Sequence, residues 1–154
     1  MKALATLLFL SAAVAAQAQT LEKYCNSKYV YCVGYPASLL TPQGEPDAGD
    51  GQVFLSKDKA IDLTVWGAHN ALDETLQAAY DSTLASLDKE RSKVTYKLLR
   101  PPWFVASGTT AKGQIFYRKT FLVDGTFKTL ILTYPAARKT ELDALVGKIV
   151  TSFR

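Results

Sequence analysis

Lys112-Gly-Gln-Ile-Phe-Tyr-Arg-Lys-Thr-Phe-Leu-Val-Asp-Gly-Thr-Phe-Lys-Thr-Leu-Ile-Leu-Thr-Tyr134 is the stretch that decides the fold. Two β-branched and aromatic runs flank Asp124-Gly125, and an Asp-Gly pair supplies the positive φ angles of a tight type I′ hairpin turn. With those two residues as the loop, Val123 faces Thr126, Phe121 faces Lys128, Lys119 faces Leu130 and Tyr117 faces Leu132 on one side. The other side carries Phe116, Arg118, Thr120 and Leu122 with Phe127, Thr129, Ile131 and Thr133. Neither side is purely apolar or purely polar, so each expects partial cover. A central antiparallel sheet flanked by helices follows, an α+β fold. It implies no activity by itself.

Working outward, the chain after the hairpin ends in Leu142, Leu145, Val146, Ile149, Val150 and Phe153, a stripe at helical spacing that packs against the sheet. Before the hairpin, Val94–Leu99 and Trp103–Ser107 read as strands on either side of Pro101-Pro102. Leu72, Leu76, Ala79, Tyr80, Leu84 and Leu87 repeat as a helix capped by Asn70 or Asp73. Gln52–Ser56 and Ile61–Ala68 form a hairpin about the turn 57–60. In the second of these strands Ile61, Leu63 and Val65 share one face, with Thr64 and Trp66 on the other. Thr41–Gln52 reads as loop, Tyr29–Tyr35 as a strand stopped by Pro36, and Gln19–Lys28 as a polar lead-in. The expected order is three strands, a helix, four strands and a closing helix.

The first 18 residues combine one charge at Lys2, a short apolar core and a small-x-small end at Ala16-Gln17-Ala18, the layout of a cleavable secretory leader. The run is too short to span a membrane. Residues 19–154 are then one domain, periplasmic or secreted, with no membrane span once the leader is gone. Loss of Lys2 lowers the net charge by one from +4, and the remaining basic residues are scattered among 14 acidic ones, which argues against nucleic acid as a partner. Cys25 and Cys32 are the only cysteines. In an oxidising compartment they form a disulfide, and Cys-x-x-Cys redox spacing is absent.

Chemistry is sparse. His69, the only histidine, stands just past a strand end, and catalysis there needs a carboxylate such as Asp47 or Asp50 brought to it. Glu45, Asp47 and Asp50 share the Gly-rich loop 44–51, but their spacing does not match a twelve-residue calcium loop. No nucleophile elbow, phosphate loop, zinc-protease motif or dinucleotide fingerprint occurs. No catalytic residue, metal or cofactor is assigned. Trp103, aimed by Pro101-Pro102 at a strand start, Trp66 and His69 are the candidate binding residues.

Tyr31-Cys-Val-Gly-Tyr-Pro-Ala-Ser-Leu-Leu40, Gly49-Asp-Gly-Gln-Val-Phe54, Trp103-Phe-Val-Ala-Ser-Gly108, Gly113-Gln-Ile-Phe-Tyr-Arg-Lys119 and Leu145-Val-Gly-Lys-Ile-Val-Thr-Ser-Phe153 together resemble small secreted bacterial proteins whose layout looks like the PsbP/Mog-like fold. The resemblance implies an α/β/α sandwich. Proteins of that fold are mostly accessory or binding proteins, among them the extrinsic subunit of the oxygen-evolving complex and a Ran-binding import factor. It therefore favours a non-catalytic module that binds a protein or cell-envelope component. The alternative is a small periplasmic hydrolase using His69 with a nearby carboxylate.

Overall fold

A computed structural model describes residues 20–154; the leader read in residues 1–18 lies outside them. The strands are β1 (Glu22–Asn26), β2 (Tyr31–Tyr35), β3 (Thr41–Pro42), β4 (Gly51–Leu55), β5 (Asp62–His69), β6 (Lys93–Arg100), β7 (Trp103–Thr109), β8 (Gln114–Val123) and β9 (Thr126–Pro135). Helix α1 (Leu76–Lys89) separates β5 from β6, and α2 (Lys139–Ser152) follows β9 through a short 3-10 turn. Seven strands make one antiparallel sheet in the order β3-β4-β5-β9-β8-β7-β6, while β1 and β2 pair by themselves.

The β8–β9 register is the expected one, Val123 opposite Thr126 through to Tyr117 opposite Leu132. Asp124 (φ 50°) and Gly125 (φ 66°) supply the two left-handed residues of the turn. Partial cover on both sides follows from where the helices land. On one face Phe54, Leu63, Val65, Leu130, Leu132 and Tyr134 are buried against Tyr31, Val33 and Tyr35 of β2 and against Leu142, Leu145, Ile149, Val150 and Phe153 of the closing helix region. On the other face α1 sets Leu84 and Leu87 on Ala106 and Phe116, and Tyr80 meets Phe104 edge to face at 5.5 Å. The two covers are staggered: α2 and the β1–β2 hairpin lie over the β4-β5-β9 side, and α1 lies over the β6-β7-β8 side. Each face thus keeps one half without a helix.

Four sequence expectations are corrected. The lead-in 19–28 contains a strand, β1, made by pairing with β2: Cys25 stands opposite Cys32 and the two are disulfide-bonded. The strand after it begins at Tyr31, because residues 27–30 are the turn of that hairpin. The loop 41–52 holds the two-residue strand β3, and its far end opens β4 at Gly51. Helix α1 starts at Leu76 with Thr75 as its cap, the Thr75 hydroxyl accepting from the Ala78 amide at 3.1 Å. Asn70 instead closes the preceding loop by bonding both backbone groups of Glu74, and Asp73 is left-handed there, which leaves Leu72 83% exposed.

Gly67 shows how the hairpin docks. A Cβ at that position would lie 2.3 Å from Cβ and Cγ of Tyr29, so the tyrosine packs onto backbone that only glycine leaves free. Asn26 and Lys28 donate to the carbonyls of Gly49 and Ala48, and Tyr24 donates to Glu45, strapping loop 43–50 to the hairpin.

Candidate functional site

Side-chain alternation along β5 sends Leu63, Val65, Gly67 and His69 to the α2 face and Thr64, Trp66 and Ala68 to the other. Trp103 pairs with Phe121 and so lies on the α2 face. The three candidate binding residues are therefore in three places: Trp66 on one half without a helix, Trp103 on the other, and His69 at the sheet end against the hairpin turn.

His69 meets the Tyr29 ring at 5.2 Å, and among the described residues no carboxylate is bonded to it. Asp50 engages its surroundings through its carbonyl, which accepts from Gly67 N and from the Tyr31 hydroxyl, and Asp47 is exposed in its loop. Glu45 takes the Tyr24 hydroxyl at 2.5 Å. No group of three metal-ligating side chains forms among the described residues.

Around Trp103, Lys119 sets its ammonium 5.6 Å from the indole and 4.7 Å from the Phe121 ring, and it donates to the Val150 carbonyl at 3.3 Å. A cation at the last turn of α2 complements the carbonyl end of the helix, so Lys119 has a structural task. Burial pushes its pKa down. Beyond it the same face continues to Tyr117 and to Tyr96 and Leu98 of edge strand β6, which are 53% and 38% exposed.

Around Trp66 the balance differs. Pairing of β5 with β9 and of β9 with β8 places Arg118 opposite Ile131, diagonal to Thr129, which stands beside Trp66. The guanidinium carbon lies 5.9 Å from the indole centroid, within cation–π range. Its Nε is sealed from solvent without any hydrogen-bond partner. Burial lowers the pKa of Arg118, partly opposed by the charge of Glu90 at the end of α1; an arginine still remains protonated. The Thr120 and Thr129 hydroxyls nearby bond one another at 3.1 Å.

Trp66 also divides two clefts. One of about 420 Å³ is lined by Lys59, Asp62, Thr64, Gln114, Ile131 and Thr133, and one of about 300 Å³ lies under loop 43–50 against Val53 and Thr64. Only sheet, turn and loop residues form their walls. A larger cleft, about 740 Å³, runs between the β1–β2 hairpin and α2. Its polar groups are partly engaged within the fold: Ser152 Oγ accepts from Gly34 N and donates to the Ile149 carbonyl, and Glu22 takes the Tyr35 hydroxyl. Sequence reasoning singled out Trp66 and missed Arg118, because the two are joined only through the non-local β5–β9 pairing.

No family model matches the sequence, and no curated protein matches it. Among solved structures the chain is similar to the solution structure of cyanobacterial PsbP (CyanoP) from Synechocystis sp. PCC 6803, with a TM-score of 0.66 at 15% identity over 94% of this chain and 98% of that one. The fold is PsbP-like, an antiparallel sheet between helices. Among the described residues no helix is long and apolar enough to cross a membrane.

Proposed function

We propose that this chain is a non-catalytic binding or accessory module that works outside the cytoplasm and engages a protein partner or envelope component through the half-face around Trp66. The observation that carries the reading is Arg118, a half-buried cation with an unmet donor, within cation–π range of an indole at the margin of the half-face that no helix covers. A protein that gained nothing from that arrangement would do better with an apolar residue there, since unmet buried donors cost about 1–3 kcal/mol. The leader-like sequence of residues 1–18 and the Cys25–Cys32 bridge support an oxidising compartment. The PsbP-like fold supports an accessory role, and His69 without a bonded carboxylate gives the hydrolase alternative no support.

The test is a photo-crosslinking residue at Thr64, on the rim of both clefts, with the outward Ala85 of α1 as control, in cells that make the protein. A discrete adduct from position 64 and none from position 85 is expected. Hydrolysis of a generic ester, phosphate or glycoside substrate that disappears in His69→Ala would overturn the reading.

A further inference from the structure

A guanidinium carries five N–H donors in a planar fork, and among the described residues Arg118 gives none of them to a protein acceptor. The acid whose charge bears on it is Glu90, and no ion pair forms between the two. Asp62, on the cleft wall, accepts the Thr64 hydroxyl at 2.7 Å, and Glu90 accepts the Ser86 hydroxyl at 3.1 Å. The two ion pairs among the described residues both involve α2 or the turn before it, with Arg138 to Glu141 and Lys139 to Asp143. Thr120 and Thr129 satisfy each other. The guanidinium is thus left without a protein acceptor, and Lys59 is a second positive group on the wall of the cleft beside Trp66.

We infer that the Arg118–Trp66 pair receives an Asp or Glu side chain of a partner protein, held fork to fork by the guanidinium while the flanking residues of that partner pack on Trp66, Thr64 and Ile131. The inference rests on the binding-module reading above and names what the partner presents. Charge complementarity selects a carboxylate, whose two oxygens match the edge of a guanidinium. A polypeptide, rather than a free acid, suits this face, because small-molecule sites enclose most of their ligand and the open clefts beside Trp66 are walled only by sheet, turn and loop residues. The partly exposed Ile131, Leu122 and Phe127 continue that face and give such a polypeptide apolar surface to cover.

The experiment uses the Thr64 crosslinker in the full chain with Arg118 intact, as Arg118→Lys and as Arg118→Gln, each checked for unchanged cooperative melting. At least a tenfold loss of adduct in Arg118→Gln and partial retention in Arg118→Lys are expected. Mass spectrometry should place an acidic residue of the partner beside the linked site, and reversing both charges, Arg118→Glu with that acid changed to Arg, should restore the adduct. An adduct undiminished in Arg118→Gln overturns the inference and leaves the module reading standing. No adduct from any form overturns the module reading, and the inference with it. In the isolated protein, saturable perturbation of the Arg118 Nε–H resonance by inorganic phosphate or acetate alone would mark a free-anion site and overturn the commitment to a protein carboxylate.

Discussion

Arg118 and Lys119 are consecutive on β8, and each lies over a tryptophan, yet they face opposite sides of the sheet and meet opposite circumstances. Lys119 lies under the end of α2 and donates a hydrogen bond to the Val150 carbonyl, so its burial is compensated by the helix it serves. Arg118 stands at the margin of the α1 cover, beside buried Ala106 and in the field of Glu90, and finds no acceptor. The same motif, a cation on an indole, is structural where a helix carbonyl answers the cation and unfinished where none does. What separates the two is the stagger of the covers, which alternation along one strand converts into two unlike sites.

The strongest way to sharpen the comparison is to weaken each cover in turn. Phe153 is buried between Tyr31 and Phe121, with ring centroids 5.8 and 5.7 Å away, so Phe153→Ala should cost about 3–5 kcal/mol in urea unfolding. Leu87→Ala beneath α1 should cost about 2 kcal/mol, because that cover closes a smaller cluster. Equal losses would mean that the two covers are energetically alike. Next comes the bridge: reducing Cys25–Cys32 should lower stability by about 2 kcal/mol, as expected for a short closed loop, while circular dichroism shows the sheet retained. Complete unfolding would make the hairpin, and not α2, the principal element of the larger core.

A smaller effect tests the pair directly. Arg118→Met should raise stability by roughly 1 kcal/mol, since it removes a desolvated charge with an unmet donor. Lys119→Met should lower it by roughly 0.5 kcal/mol, through loss of the cation at the helix end. If both variants lose stability, the contrast between the two sites is gone.

The smallest effect near neutral pH concerns the tyrosines. Burial raises the pKa of Tyr31, Tyr35, Tyr117 and Tyr134, all on the α2 side, and of Tyr24 on the hairpin; hydrogen bonds to Glu22 and Glu45 add to this at Tyr35 and Tyr24. A folded phenol that keeps its proton after the unfolded one has lost it stabilises only below the unfolded value. Stability should therefore be nearly flat from pH 7 to 9 and fall as pH rises past the ordinary tyrosine value of 10.0. Lys119, lowered by burial, acts in the opposite sense but stands alone among the lysines. Arg118→Met should show the same alkaline fall as the parent protein, because no shifted tyrosine lies on the Trp66 face. A fall that changes with Arg118 would break the separation of the two faces.

Much of this was legible in the sequence where information is local. Asp124-Gly125 sets the register of twenty strand residues, and the stripe from Leu142 to Phe153 identifies the buried side of α2, with Val146 at its margin. Strand β1 was not legible: Glu22-Lys-Tyr-Cys-Asn26 is polar because one side of it meets solvent, and only its pairing with β2 makes it a strand. The start of α1 was misread because Leu72 stands at helical spacing, whereas the Asn70 amide commits the backbone to a loop first. The site was half legible. Trp66 was a candidate from its strand, but Arg118 stands 52 residues away and reaches it only because β9 inserts between β5 and β8.

That Cys32 and Arg154 exchange both backbone hydrogen bonds, at 2.8 and 3.2 Å, has a consequence for timing. The free side of β2 is bonded by Arg154, just past α2, and Phe153 beside it fills the space between Tyr31 and Phe121. The β4–β5 turn closes through neighbours in sequence, but the larger core cannot close until the segment after α2 has docked on β2. Removing residues 153–154 should therefore let proteases cut the β1–β2 region, which the intact 20–154 segment protects.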